Sequence, residues 1–323
     1  MNYYLRYILV LIILMVLGYI FEKYKQHEEK IDQMDQYDLI KKYLLTDSSL
    51  AKTDKPILWI PIQFEKNARW WPSFYSRNTQ CLNQPYQYLT LKSIIDKCGK
   101  SFNVCLIDDR SFNNIIPGWT TKIANLPNPL KPHLRELAMS KLLYYYGGMT
   151  LPSSFICFKD LISLYNRGLG ACDMFTGELN SSGNVMNITE YFPNNKIMGC
   201  KKECVIMEQY INYLEGLVSN DYTNEMEFTS EPNRWLYKQV LNNKVMVLDA
   251  EYFGVKQDDN SPVIIDDLLG NDDDFKLSNK AYGLYIPAND ILTRTNMQWF
   301  ARMNAEQVLN SNTIISRYLL LCN

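Results

Sequence analysis

The groups that could do chemistry in this 323-residue chain are mostly carboxylates, because its other reactive side chains are few or badly spaced. Only two histidines occur, His27 and His133. They cannot build an imidazole metal cluster, and a Ser-His-Asp relay could draw only on His133, which reads as a surface histidine at a helix start. The eight cysteines (Cys81, Cys98, Cys105, Cys157, Cys172, Cys200, Cys204 and Cys322) do not form paired Cys-x-x-Cys units, so zinc is not expected. Cys105, Cys157 and Cys172 lie in apolar runs and read as buried thiols, while Cys200 and Cys204 are spaced to lie one helical turn apart. There is no phosphate-binding P-loop and no dinucleotide glycine fingerprint. What remains is Asp108-Asp109, closing an apolar run; Asp173, inside an apolar segment, where a charge marks either a wet edge or a site; and the aspartate-rich stretch 258–274. That stretch lacks the glycine at position six and the glutamate at twelve of a calcium loop, so it reads as a solvated acidic loop.

Those carboxylates need a scaffold, and hydropathy supplies one. Ile57–Ile62 is apolar, bounded by prolines and too short for a helix, hence a buried strand. Pro85–Cys98 reads as a helix and Phe102–Ile107 as a second buried strand running into Asp108-Asp109. Strand, helix, strand at this spacing implies parallel pairing through a right-handed crossover. Ligands of such sheets sit beyond the carboxyl ends of the strands, which puts Asp108, Asp109 and the Trp59–Trp71 loop at that edge. Trp70-Trp71 can stack on a sugar or a base, or pack on the neighbouring helix. Next, Leu130, Leu134, Leu137, Ala138, Leu142 and Tyr145 recur at helical intervals, with Asn128 placed to cap and Pro129 at the first helical position. Gly147 stands where a left-handed cap is wanted, Gly148 turns the backbone, and Met149–Leu151 is a short strand ended by Pro152. Strands are also expected at Cys172–Thr176, from Asn195 into a helix ending near Leu214, at Lys244–Leu248 and at Tyr282–Pro287. Glu231–Leu241 reads as a helix with Pro232 in its first turn, and Asn304 with Gln307 forms a capping box for one terminal amphipathic helix reaching Leu319. The fold class is α/β, a Rossmann-type, mostly parallel sheet flanked by helices.

The Tyr146-Gly147-Gly148 triplet, closing an apolar helix and leading into a short strand, resembles the sugar-binding region of GT-A-fold glycosyltransferases. The similar enzymes are the initiation-specific mannosyltransferases and those of capsular-polysaccharide synthesis. In that family the strand ends in Asp-x-Asp or Asp-x-Thr, whose carboxylates hold a divalent cation on the diphosphate of a nucleotide-sugar. Counted from Gly148, those positions fall on Pro152, Ser153 and Ser154, so both carboxylates are missing and a manganese or magnesium site is not expected there. The family's helix Asp and Arg correspond to Glu136 and Met139, and a C-terminal tryptophan to Trp299 with no histidine beside it. The resemblance implies a donor site drawing on Asp108, Asp109, Gly147, Gly148, Ser153 and Ser154. Glu136, Asp173, Arg294 and Arg302 are the catalytic candidates, the two arginines standing in for the cation. It also implies a nucleotide-sugar donor and a glycan or protein acceptor. Loss of the motif carboxylates leaves a second reading open, an inactive relative serving as a binding or structural membrane protein.

The clearest signal outside the body is Met1–Phe21, where Arg6 is the one charged side chain. About 20 apolar residues cross a bilayer, so residues 1–25 read as a transmembrane anchor, 26–55 as a polar stem and 56–323 as the glycosyltransferase-like domain. A cleaved signal peptide fits less well, since no small-x-small site follows Gly18. Arg6 and the amino terminus set a type II orientation, with the body lumenal or exoplasmic. Asn180-Ser-Ser and Asn187-Ile-Thr would then be glycosylation acceptors. A net charge of −2 excludes a basic field for nucleic acid. Abundant Asn, Ile, Lys and Tyr indicate an AT-rich genome, such as that of a large DNA virus.

Overall fold

The computed structural model describes residues 7, 12–23, 55–63, 84–123, 126, 130–180, 191–219, 225–272 and 274–322, with side chains from 231 onward in the 225–241 helix. The Asn128–Pro129 helix start, Trp70-Trp71, His27, Cys81, the stem before Lys55 and the 181–190 loop with its second acceptor triplet lie outside the described residues. The chain divides into two units, Met1–Tyr43 and Leu44–Asn323. In the first, residues 12–23 are helical and their apolar side chains are exposed. Among the described residues no helix is long and apolar enough to cross a membrane; most of the run before Ile12 lies outside them.

The second unit is built on a six-stranded sheet in the order β2-β1-β3-β6-β5-β7. Its strands are β1 (Ile57–Pro61), β2 (Asn103–Ile107), β3 (Gly148–Thr150), β5 (Met174–Asn180), β6 (Tyr191–Cys200) and β7 (Met246–Leu248). β1 lies parallel to β2 and β3, and β5 parallel to β7, while β6 runs antiparallel between β3 and β5. The sheet is therefore mostly parallel. β1 is a continuous apolar run because both its faces are covered: Leu58, Trp59 and Ile60 have no solvent exposure. Two further strands, β4 (Phe155–Cys157) and β8 (Gly283–Tyr285), form a separate antiparallel pair, so the expected strand near Tyr282–Pro287 does not join the main sheet.

Helices α1 (Gln87–Cys98), α2 (Phe112–Ile115) and α3 (Leu130–Tyr146) precede β3; α4 (Ile162–Ala171), α5 (Val205–Ser219) and α6 (Glu225–Leu241) follow it. Side chains from α3 and α5, among them Leu142, Tyr210 and Leu214, pack with Trp59 and Cys105 in one core. A second core joins α1 and the β4–β8 pair to the short C-terminal helices α7 (Ile265–Leu269), α8 (Ala288–Thr293), α9 (Gln298–Arg302), α10 (Ala305–Leu309) and α11 (Ile314–Cys322). The Asn304–Gln307 capping box is present at α10. The single terminal helix expected from the pattern is two, since Thr313 Oγ1 accepts from Ser316 N and starts α11 afresh. Pro232 lies inside α6 rather than in its first turn, because that helix begins at Glu225.

Other departures have plain causes. His133 is buried, and burial pulls its imidazole down to about 4, away from the surface role its position suggested. Cys200 ends β6 and Cys204 immediately precedes α5, so they are not one helical turn apart. The described cysteines are free thiols, and Cys172 is partly exposed rather than buried.

The join between α3 and β3 sets the geometry of the sheet. Gly147 (φ +70°) and Gly148 (φ +94°) both lie in the left-handed region. Gly147 N donates to Leu143 O at 2.8 Å, which ends the helix, and the buried Trp59 indole donates to Gly147 O at 2.9 Å, which ties that end to β1. A Cβ on Gly148 would stand 2.2 Å from Ile57 O, so no larger residue lets β3 lie this close to β1. Gly148→Ala combines a left-handed φ with a backbone clash, and is expected to cost at least ~2 kcal/mol. A urea midpoint unchanged by the substitution would show that the close approach is not constraining.

Candidate functional site

Past its pairing of Met149 with Gly199, the β3–β6 ladder opens. The Thr150 hydroxyl fills the gap, accepting from Met198 N at 3.0 Å and lying 3.3 Å from Met198 O. On its other side β6 is irregular: Thr176 of β5 pairs with Met198, but Gly177 pairs with Asn194. The intervening Asn195, Lys196 and Ile197 are thrown out of register as a bulge. Two of its amides find side-chain partners, Asn195 N donating to Asn233 Oδ1 at 3.2 Å and Lys196 N to Asn194 Oδ1 at 3.0 Å.

The opened edge holds a hollow of about 150 Å³. One wall is the carboxyl end of β1 (Pro61, Gln63) and the segment following β3 (Pro152, Ser153, Ser154). Another comes from the approach to α1 (Gln84, Gln87), and the remainder from Lys196 of the bulge with Tyr285, Ala288 and Asn289. Its place beyond the carboxyl ends of parallel strands is the one expected of an open α/β sheet.

The hollow's polar groups are amides, hydroxyls and one ammonium. Ser154 is buried, and its hydroxyl donates to Ile286 O at 2.7 Å while Ile286 N donates to Ser154 O at 3.0 Å, so this segment is clamped to the end of β8. Ser153 donates to Gln87 Oε1 at 3.2 Å, and the Thr90 hydroxyl donates to Ser153 O. Lys196 Nζ donates to the Tyr285 hydroxyl at 2.8 Å and lies 5.4 Å from the centre of that ring. Burial acts to lower the Lys196 pKa, but Tyr285 and the nearby Asp290 outweigh it and hold the value above the ordinary one, so the ammonium stays charged. Among the described residues the lining carries no carboxylate and no imidazole, and a divalent cation, which wants several hard oxygens including charged ones, does not fit these residues.

Of the residues singled out in the sequence, Ser153 and Ser154 line the hollow. The others are placed elsewhere. Gly147 precedes β3 and Gly148 begins it, at the end of the strand away from Pro152–Ser154. Asp108 Oδ1 accepts from the Ser111 amide at 2.9 Å and its hydroxyl at 2.7 Å, closing the turn before α2. Asp109 pairs with Arg135 through two 2.7 Å bonds. Asp173 precedes β5 rather than lying inside it and meets Lys201 at 2.6 Å, both side chains exposed. Arg294 reaches Asp266 at 3.4 Å and Asp290 at 3.8 Å, one carboxylate removed from Lys196. Arg302 is exposed on α9, and Met139, where the family has arginine, is buried in the core.

Glu136 stands behind the bulge. It accepts from the Tyr210 hydroxyl at 2.6 Å, and its carboxylate and Tyr210 both bond the Asn195 side chain. These bonds tie α3 and α5 to the segment that carries Lys196. Lys196, Tyr285, Gln84, Gln87 and Asn289 went unread in the sequence. One signal was available, the Pro193-Asn194-Asn195-Lys196 run interrupting a strand pattern as bulges do.

No protein-family model matches the chain, and no curated protein matches it in sequence. A solved structure described as PaToxG Glycosyltransferase is similar over 67% of this chain and 81% of its own, at 13% identity and a TM-score of 0.31. So slight a likeness carries no weight for fold or chemistry, which rest on the sheet and the hollow.

Burial raises the Glu136 pKa, against the opposing hydrogen bonds from Tyr210 and Asn195. A folded-state pKa above the unfolded one means the native state holds the proton more tightly. Stability from this group is therefore full below the ordinary carboxylate pKa and is lost as pH rises through the folded value. Glu136→Gln, which cannot ionise, is expected to flatten that decline. Urea midpoints at pH 5 and pH 8 check it: the native midpoint should fall more between them than the variant's, and equal falls would refute the shift.

Proposed function

We propose that this chain is a glycosyltransferase-like protein that binds a nucleotide-sugar in the hollow after β3 and transfers the sugar to a glycan or protein acceptor without a carboxylate-held cation. The observation that carries this reading is the position of Lys196. It puts a charged ammonium on the wall of the same hollow as Pro152–Ser154, the segment standing where the family's metal-binding motif would be. When the bond between sugar and diphosphate breaks, negative charge gathers on the departing phosphate oxygens. A preorganised cation beside them lowers that barrier, whether it is a metal or an ammonium. Lys196 takes this role in place of Arg294 and Arg302, because it lines the hollow and is held charged there. Amides and hydroxyls from Gln87, Ser153 and Asn289 suit the alternating donors and acceptors of a sugar ring.

A second reading, binding without transfer, is favoured by the described lining residues, among which no carboxylate or imidazole stands ready to take the acceptor's proton. The charge-free run Tyr7–Phe21 supports a bilayer anchor at residues 1–21. With Arg6 on the cytoplasmic side, the body of this type II protein would be lumenal or exoplasmic.

Calorimetric titration of UDP-glucose and GDP-mannose in chelator and in manganese tests the cation-free reading. Affinity is expected to be the same in both, and Lys196→Met should weaken it by about tenfold or more, the scale of a charge-assisted hydrogen bond. Binding that depends on manganese would remove the cation-free version. Release of free sugar or glycosylated acceptor separates transfer from binding alone.

A further inference from the structure

Gln84 is the least explained side chain in the hollow. Only 1% of its surface is exposed, and its amide nitrogen donates to Ala288 O at 3.0 Å. That bond settles which end of the amide is which, since turning it over would set two carbonyl oxygens against each other. The other end, Oε1, is then buried with no hydrogen-bond partner among the described residues. A buried acceptor left without a donor is costly, and natural proteins keep one chiefly where something else arrives to satisfy it.

The hydrogen bonds made by the serine hydroxyls and the ammonium around it go elsewhere. Ser154 donates to Ile286 O, Ser153 to Gln87 Oε1, and Lys196 to Tyr285. None of these hydrogens is directed at Gln84. A ligand hydroxyl or N–H would supply the donor that these groups do not. Lys196 offers the opposite: an ammonium has three hydrogens, and Tyr285 takes one. The hollow thus combines a vacant acceptor with a charged donor that has bonds to spare. A molecule carrying a free hydroxyl and an anionic group satisfies both, and a glycosyl phosphate is such a molecule.

We infer that Gln84 is a specificity-determining residue: its Oε1 accepts a hydroxyl of the donor's sugar, while Lys196 holds the phosphate to which that sugar is attached. The inference rests on the hollow being the donor site. It predicts that recognition divides along the ligand, with Gln84 reading the sugar and blind to the nucleotide.

Titration of UDP-glucose, GDP-mannose, UDP and GDP into the full chain and into Gln84→Leu tests this. The variant should bind the nucleotide-sugar about tenfold more weakly, the loss of one hydrogen bond to a buried acceptor, and bind the matching nucleoside diphosphate within twofold of the native chain. Retained diphosphate binding also shows that the variant's hollow is intact. An equal loss for both ligands, or no loss for either, overturns the role of Gln84 and leaves the donor site standing. A native chain that binds none of the four overturns the donor site itself, and this inference with it. Should Gln84→Leu fail to fold, the native chain is titrated with monodeoxy forms of the better-bound donor. One of them should lose about tenfold, and a set that all bind as well as the parent overturns the inference.

Discussion

The bulge in β6 is the constraint on which the rest of the site depends. Skipping from Met198 to Asn194 along the β5 edge places Lys196 on the wall of the hollow, an orientation that a regular ladder does not leave to choice. Such a break exposes backbone amides, and the chain covers them with Asn194 and Asn233. The same break brings the Asn195 side chain to Glu136 and Tyr210, on the face where α3 packs against α5. A charged group in the hollow and a carboxyl in the helix layer are thus held by adjacent residues of one short segment.

Pro152 and Ser154 stand where the resemblance would have metal-binding carboxylates, with Ser153 between them, and the two serine hydroxyls are committed to Gln87 and to the Ile286 carbonyl. They shape the wall more than they charge it. The charge enters from β6, a different strand, and is maintained by Tyr285 and Asp290 from the C-terminal region. If the hollow is a donor site, its electrostatics have moved from the strand that follows the glycines to the strand paired with it.

Much of the scaffold was legible before the structure, because it is written in local pattern. The proline-bounded apolar run gave β1, the spacing of Leu134, Leu137 and Leu142 gave α3, and the Gly147-Gly148 pair gave the turn into β3. Less of the site could be read. Asp108 and Asp109 have the right chemistry at the end of β2, yet a turn and Arg135 absorb them, and partners so distant in the chain leave no trace in spacing. Lys196 was hidden for a related reason: a lysine in a strand of alternating polarity ordinarily faces water, and only the displaced register turns it inward. Arg294 falls between, since its contact with Asp290 joins it to the site at one remove.

The antiparallel pairing of β4 with β8 ties Phe155 to Tyr285 and Cys157 to Gly283 across more than a third of the sequence. One wall of the hollow therefore cannot exist until the segment around Tyr285 has been made and has closed back on β4. Long loops of that kind close late, so the parallel β1–β2–β3 layer can assemble well before the cleft beside it. The hollow would then take shape only after the sheet that carries it.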